Sequence, residues 1–185
     1  MPVVEIAWWT PSEAFDADKS IINPALDFTK SVDGCNAVYS GFAEEENTFF
    51  LFLVWETLEH HKKLMAHPEY PKITRLLPTI GAGGINVYHV EFNKDFTPAV
   101  GQDQEELYET LSANGSLIEE VLPEEHRPAV YGQTVEDPTK FYGSIGWKST
   151  AFHGEVVQQP QILAQVMKIR EVVDYKLLHV NFKKH

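Results

Sequence analysis

Three histidines and one tyrosine in the first ninety residues are the groups best suited to proton chemistry: His61, His67, Tyr70 and His89. Imidazole titrates near pH 6.5 and shifts readily with burial, so it serves as a general acid or base at neutral pH. His61 follows Leu58 by three residues and precedes Met65 by four, which puts it on the apolar face of the helix they share. There it is either a base facing a cavity or a hydrogen-bonded anchor between helix and sheet. His89 alternates with Val87 and Glu91 on one face of a strand, so His89 and Glu91 form either an orienting pair or an ion pair facing solvent. His67 and Tyr70 flank a proline-bearing break, HPEY. A phenol with pKa near 10 is a poor base at neutral pH but a good hydrogen-bond donor.

Residues suited to hold a substrate beside these groups are Tyr39, Trp55, Trp9, Glu91 and His153. The aromatic ones serve a core equally well, since each contributes about 2–3 kcal/mol when buried. His60 and His61 point to different faces of a helix, so with His67 they make no metal cluster, and no metal site is expected. The sequence contains no GxGxxG, Walker loop, HExxH, GxSxG or CxxC, which removes dinucleotide, nucleoside-triphosphate, zincin and serine-hydrolase chemistry. No cofactor is expected on these grounds, although a single histidine facing a cavity would suffice for haem.

The balance of charge narrows the partners. A net charge of -12 argues against nucleic acid and anionic membrane surfaces. The longest apolar run, TFFLFLVW, is far too short to span a bilayer. Cys35 is the only cysteine, which fits a reducing compartment. The expectation is a cytoplasmic protein whose partner is a small hydrophobic ligand or substrate. Whether it also forms a homodimer is open.

What positions these residues is a repeat. Ala37-Val38-Tyr39 returns as Ala129-Val130-Tyr131, an offset of 92. The same offset sets Phe49 on Phe141, Trp55 on Trp147, Thr57 on Ser149, His61 on His153 and Pro68 on Pro160. Tyr88-His89-Val90-Glu91-Phe92 then meets Leu178-His179-Val180-Asn181-Phe182 at an offset of 90. The two missing residues fall at Gly81–Gly84, where a change of length is cheap.

The local patterns fill in each half. In the first, Val3 to Thr10, Asn36 to Ala43, Thr48 to Trp55 and Ile85 to Asn93 read as strands. Lys19 to Val32 reads as a helix with Pro24 in its first turn, and Leu58 opens a second helix capped by Thr57. Pro68 and Pro71 interrupt that helix, which resumes through Ile73 to Leu77. In the second half, Phe96 to Val100 is a faint strand and Glu105 to Val121 reads as a helix. Val130 to Val135 and Phe141 to Trp147 are strands, Phe152 to Arg170 is a helix broken near Pro160, and Val172 to Phe182 is the last strand. This β-α-β-β-α-β order is the ferredoxin-like unit. The expected fold is α+β: tandem ferredoxin-like repeats, 1–95 and 96–185, forming an intramolecular dimeric α/β barrel with antiparallel sheets. Each sheet has one face covered by helices, and pressing the two bare faces together hides both.

The stretch VWETLEHHKKLMAHPEYPKI followed by VYHVEF resembles the dimeric α/β-barrel superfamily, in particular its antibiotic-biosynthesis monooxygenase-like and stress-responsive groups. The resemblance lies in Trp55, Glu56-Thr57, His60-His61, His67-Pro68 and His89. It implies a cofactor-free cyclase, isomerase or oxygenase acting on a hydrophobic, polyketide-like substrate. Similar proteins also include haem-degrading enzymes and stress-associated barrels with no reaction. In plant cyclases of the group a histidine base stands at the position of Tyr70, so tyrosine here puts direct transfer of that role in question. Positions shared by both halves read as framework, and the unshared His67, Tyr70 and Glu91 point to the first half as the seat of any single active site.

Overall fold

The computed structural model describes residues 2–68, 70–92, 105–109, 129–137, 139–172 and 174–185. Its contacts divide the chain into two units, Met1–His89 with Lys183–His185, and Val90–Phe182.

In the first unit, alternating β-branched and aromatic residues form β1 (Val3–Trp9), β2 (Cys35–Ala43), β3 (Phe49–Trp55) and β4 (Asn86–Val90). They lie side by side in the order β4-β1-β3-β2. β1 and β2 both run antiparallel to β3, with Val3 and Cys35 each opposite Trp55. All seven residues of β3 are buried, as its unbroken apolar run requires of a central strand. The helices cover one face. Ser12 caps a short α1 (Glu13–Ala17) by accepting the Phe15 N–H, a helix that the sequence does not announce.

The expected helix over Lys19 to Val32 is split, because proline cannot donate inside a helix. Lys19–Ile22 is a 3₁₀ turn, and α2 (Asn23–Lys30) starts afresh with Pro24 in its first turn. α3 (Leu58–Met65) and a 3₁₀ segment (Tyr70–Thr79) complete the layer. The core between helices and sheet joins Ala7, Trp9, Phe49, Leu51, Leu53 and Trp55 of the strands to Phe15, Ile22, Leu26 and Leu64 of the helices.

The second unit repeats the order as β8-β5-β7-β6, from β5 (Glu105–Glu109), β6 (Val130–Gln133), β7 (Phe141–Trp147) and β8 (Leu177–Lys184). α4 (Thr150–Val157) and α5 (Pro160–Val172) are the two pieces of the helix expected to break near Pro160. One expectation fails. Residues 105–109, read as the start of a helix, form a strand that pairs with both β7 and β8. Glu-Glu-Leu-Tyr-Glu suits a helix locally, but pairing on both sides outweighs so weak a preference. The expected strand Phe96 to Val100 and the remaining positions 110–121 lie outside the described residues.

Candidate functional site

Two groups of chemical residues stand in the first unit, one inside the layer of core and one at its surface.

The inner group is built from three elements. Glu5 shares a strand face with Ala7 and Trp9, the face that the helices cover. His61 comes from α3 and His89 from β4, and all three are buried, with exposures of 8%, 6% and 8%. His61 Nδ1 lies 2.6 Å from His89 Nε2, so one nitrogen donates to the other. The same Nδ1 is 3.4 Å from Glu5 Oε2. Trp55 orients both: its Nε1–H donates to Glu5 Oε2 at 2.9 Å, and its ring stacks on His61 with centroids 5.2 Å apart and an interplanar angle of 11°. The charge of Glu5 reaches Cys35. Burial first, then the Glu5 carboxylate, pushes that thiol up to about 11.

The outer group lines a cleft of about 360 Å³ between the end of α2 and α3. Phe28, Val32 and Leu64 are its apolar walls, and His60, Lys63 and His67 stand around it with Asp33. His60 is held in place. Its Nδ1 is 3.0 Å from Thr57 Oγ1, and its Nε2 is 4.0 Å from Asp33 Oδ2 and 3.8 Å from Glu56 Oε2. Thr57 therefore spends its hydroxyl on His60 rather than on a helix N–H, whereas Ser149 caps α4 by accepting the Phe152 N–H. Gly34 makes room for the ring: a Cβ there would sit 2.3 Å from His60 Cγ.

The structure thus joins His61 to His89 and leaves His67 apart from them at the cleft. Tyr70 opens the 3₁₀ segment and packs against the first unit's core, outside the cleft lining. Tyr39 is buried on β2, and Trp9 is buried with its Nε1–H donating to the Thr79 carbonyl at 3.1 Å. Glu91 lies beyond the end of β4 and is exposed, and it is Glu5, not Glu91, that stands beside the histidines. His153 repeats the inner pair in the second unit, its Nδ1 2.8 Å from His179 Nε2. There, however, the strand register differs in chemistry. Glu5 pairs with Leu53 in the first unit, while Leu107 pairs with Ile145 in the second. Leucine occupies the register position of the carboxylate.

Sequence reasoning did not single out Glu5 or Lys63, and it named His60 only within the resemblance and as no metal ligand. The turn Asp33-Gly34 was the one local signal for the cleft, since a glycine with φ of 79° often marks a close approach.

No protein-family model and no curated protein matches the chain. Solved structures do. A provisionally named monooxygenase from Fusobacterium nucleatum superposes with a TM-score of 0.72 at 10% identity, over 100% of this chain and 94% of its own. A second, from Lactobacillus acidophilus, gives 0.62 at 11% identity, over 99% and 95%. An anthrone oxidase-like protein gives 0.64 at 13% identity, over 99% and 93%. At such identities the likeness is one of fold. The chain shares its α+β fold, with antiparallel ferredoxin-like units, with these three proteins. Among the described residues no helix is long and apolar enough to cross a membrane.

Proposed function

We propose that this protein is a small-molecule enzyme of secondary-metabolite type, an oxygenase, cyclase or isomerase that acts on a hydrophobic, oxygenated substrate by histidine acid–base chemistry. The names of the three similar structures support the class. The observation that carries the reading is the first-unit cleft, where imidazoles and an ammonium surround apolar walls in a volume that suits a small aromatic molecule. The aromatic body of the substrate lies against Phe28, Val32 and Leu64. His60 or His67 removes an acidic C–H or phenolic proton, and Lys63 stabilises the oxyanion that forms. Asp33 and Glu56 stand beside the ring, with carboxylate oxygens 4.0 and 3.8 Å from His60 Nε2.

The test uses an anthrone-type phenolic ketone with product analysis and oxygen uptake. His60→Gln and His67→Gln are expected to lower kcat by about a hundred-fold or more in at least one case, the usual weight of a general base. His153→Gln, in the second unit, should leave it near wild type. Saturable binding of the probe without turnover would make the protein a ligand carrier instead. Absence of both binding and turnover, or turnover indifferent to both cleft histidines, would sink the reading.

A further inference from the structure

The inner group has no role in the cleft chemistry, yet its geometry is that of a ligand set. His61 Nδ1 faces His89 Nε2 at 2.6 Å and Glu5 Oε2 at 3.4 Å, and the three ligand atoms all lie within 4.8 Å of one another. Neutral imidazoles offer only one proton between the two facing nitrogens. Donor atoms of two imidazoles and one carboxylate thus converge on one buried point.

We propose that Glu5, His61 and His89 bind one divalent first-row transition-metal cation. At the usual metal–nitrogen and metal–oxygen lengths of about 2.0–2.2 Å, tetrahedral ligands stand about 3.3–3.6 Å apart. The 3.4 Å between His61 Nδ1 and Glu5 Oε2 falls in that range, and the 2.6 Å between the imidazoles is a hydrogen bond that opens by about 0.7 Å when an ion replaces its proton. Two imidazoles and one carboxylate leave coordination positions open, the pattern of a reactive rather than a structural ion. The support around the ligands fits as well. Trp55 donates to the carboxylate and stacks on His61, which fixes the direction of both donors before any ion arrives. The second unit supplies an internal control. His153 and His179 approach each other at 2.8 Å, but leucine stands at the register position of Glu5, so only two of the three ligands are repeated. Among the described residues the full set therefore stands only in the first unit.

Co²⁺ is the probe, because its visible absorption reports the donors directly. Metal-free full-length protein titrated with Co²⁺ should take up one equivalent, by equilibrium dialysis with metal analysis, and develop d–d bands. Glu5→Gln and His89→Gln should weaken uptake by about ten-fold or more, while His179→Gln should bind as wild type. Glu5→Gln keeps an acceptor for Trp55, so it folds even where His89→Gln does not, and its circular dichroism melt checks this. No saturable uptake by the wild type, uptake unchanged in Glu5→Gln, or equal loss in His179→Gln would each overturn the site. None of these measurements involves substrate turnover, so the outcome is independent of the cleft reading.

Discussion

Trp55 Nε1 donates to Glu5 Oε2 at 2.9 Å, tying the middle strand of the first sheet to a carboxylate that is only 8% exposed. The bond ranks Glu5 substitutions. Glu5→Gln keeps an oxygen acceptor and should change stability by less than about 1 kcal/mol. Glu5→Leu, which copies the residue at the corresponding position of the second unit, strands the indole N–H and should cost about 1–3 kcal/mol. Urea unfolding of the two variants compares them, and equal stability would show that the bond contributes nothing.

Gly34 and His60 form a second such dependence. Gly34 has φ of 79°, and an added Cβ would sit 2.3 Å from His60 Cγ. Gly34→Ala should therefore cost about 1–3 kcal/mol through backbone strain and displacement of the ring. It should also weaken probe binding in the cleft, since the ring it displaces lines that space. A melting temperature at the wild-type value would contradict the clash.

Cys35 should be unreactive. Burial and then the Glu5 charge raise its thiol from 9.0 to about 11, so at pH 8 it holds about a hundred-fold less thiolate than an ordinary cysteine. Disulfide reagents such as dithionitrobenzoate should label the native protein correspondingly slowly. Glu5→Gln removes one of the two causes, and labelling should speed up in that variant if the charge acts as described.

His185 sets an acid limit. Burial first, then Lys183 and Lys30, hold its imidazole below the ordinary value, and its Nε2 is 2.7 Å from Ser40 Oγ. A histidine depressed in the folded state binds more protons when unfolded, so its contribution is present above about pH 6.5. It is lost as the pH falls from there through the folded value. Stability measured from pH 7.5 to 5 should decline over that window, and His185→Gln should flatten the decline. An unchanged profile in the variant would assign the loss to other groups.

Much of this protein was readable because it is written in short-range signals. The period of two in Val3–Trp9, the apolar run Phe49–Trp55 and the proline breaks at Pro24, Pro68 and Pro160 each act within a few residues, and the elements formed where they point. The repeat added long-range information, because residues at a constant offset must meet the same partners. His61 and His153 do so, each pairing with a strand histidine. Residues 105–109 escaped this logic: their local preference is helical, and only the strands on either side make them a strand.

The candidate sites divide in the same way. The sequence by itself determined that histidines stand at equivalent helix and strand positions of the two halves, since spacing along a helix and a strand sets which face a side chain occupies. Only the tertiary structure decided which carboxylate joins them. Glu91, two residues from His89, lies beyond the end of β4 in solvent, while Glu5 arrives through the pairing of β1 with β3, which nothing local to either histidine encodes. The cleft depended likewise on a loop closing over a helix, where Gly34 lets His60 approach. Local sequence sets the direction in which a side chain points, and packing of distant segments sets what it meets there.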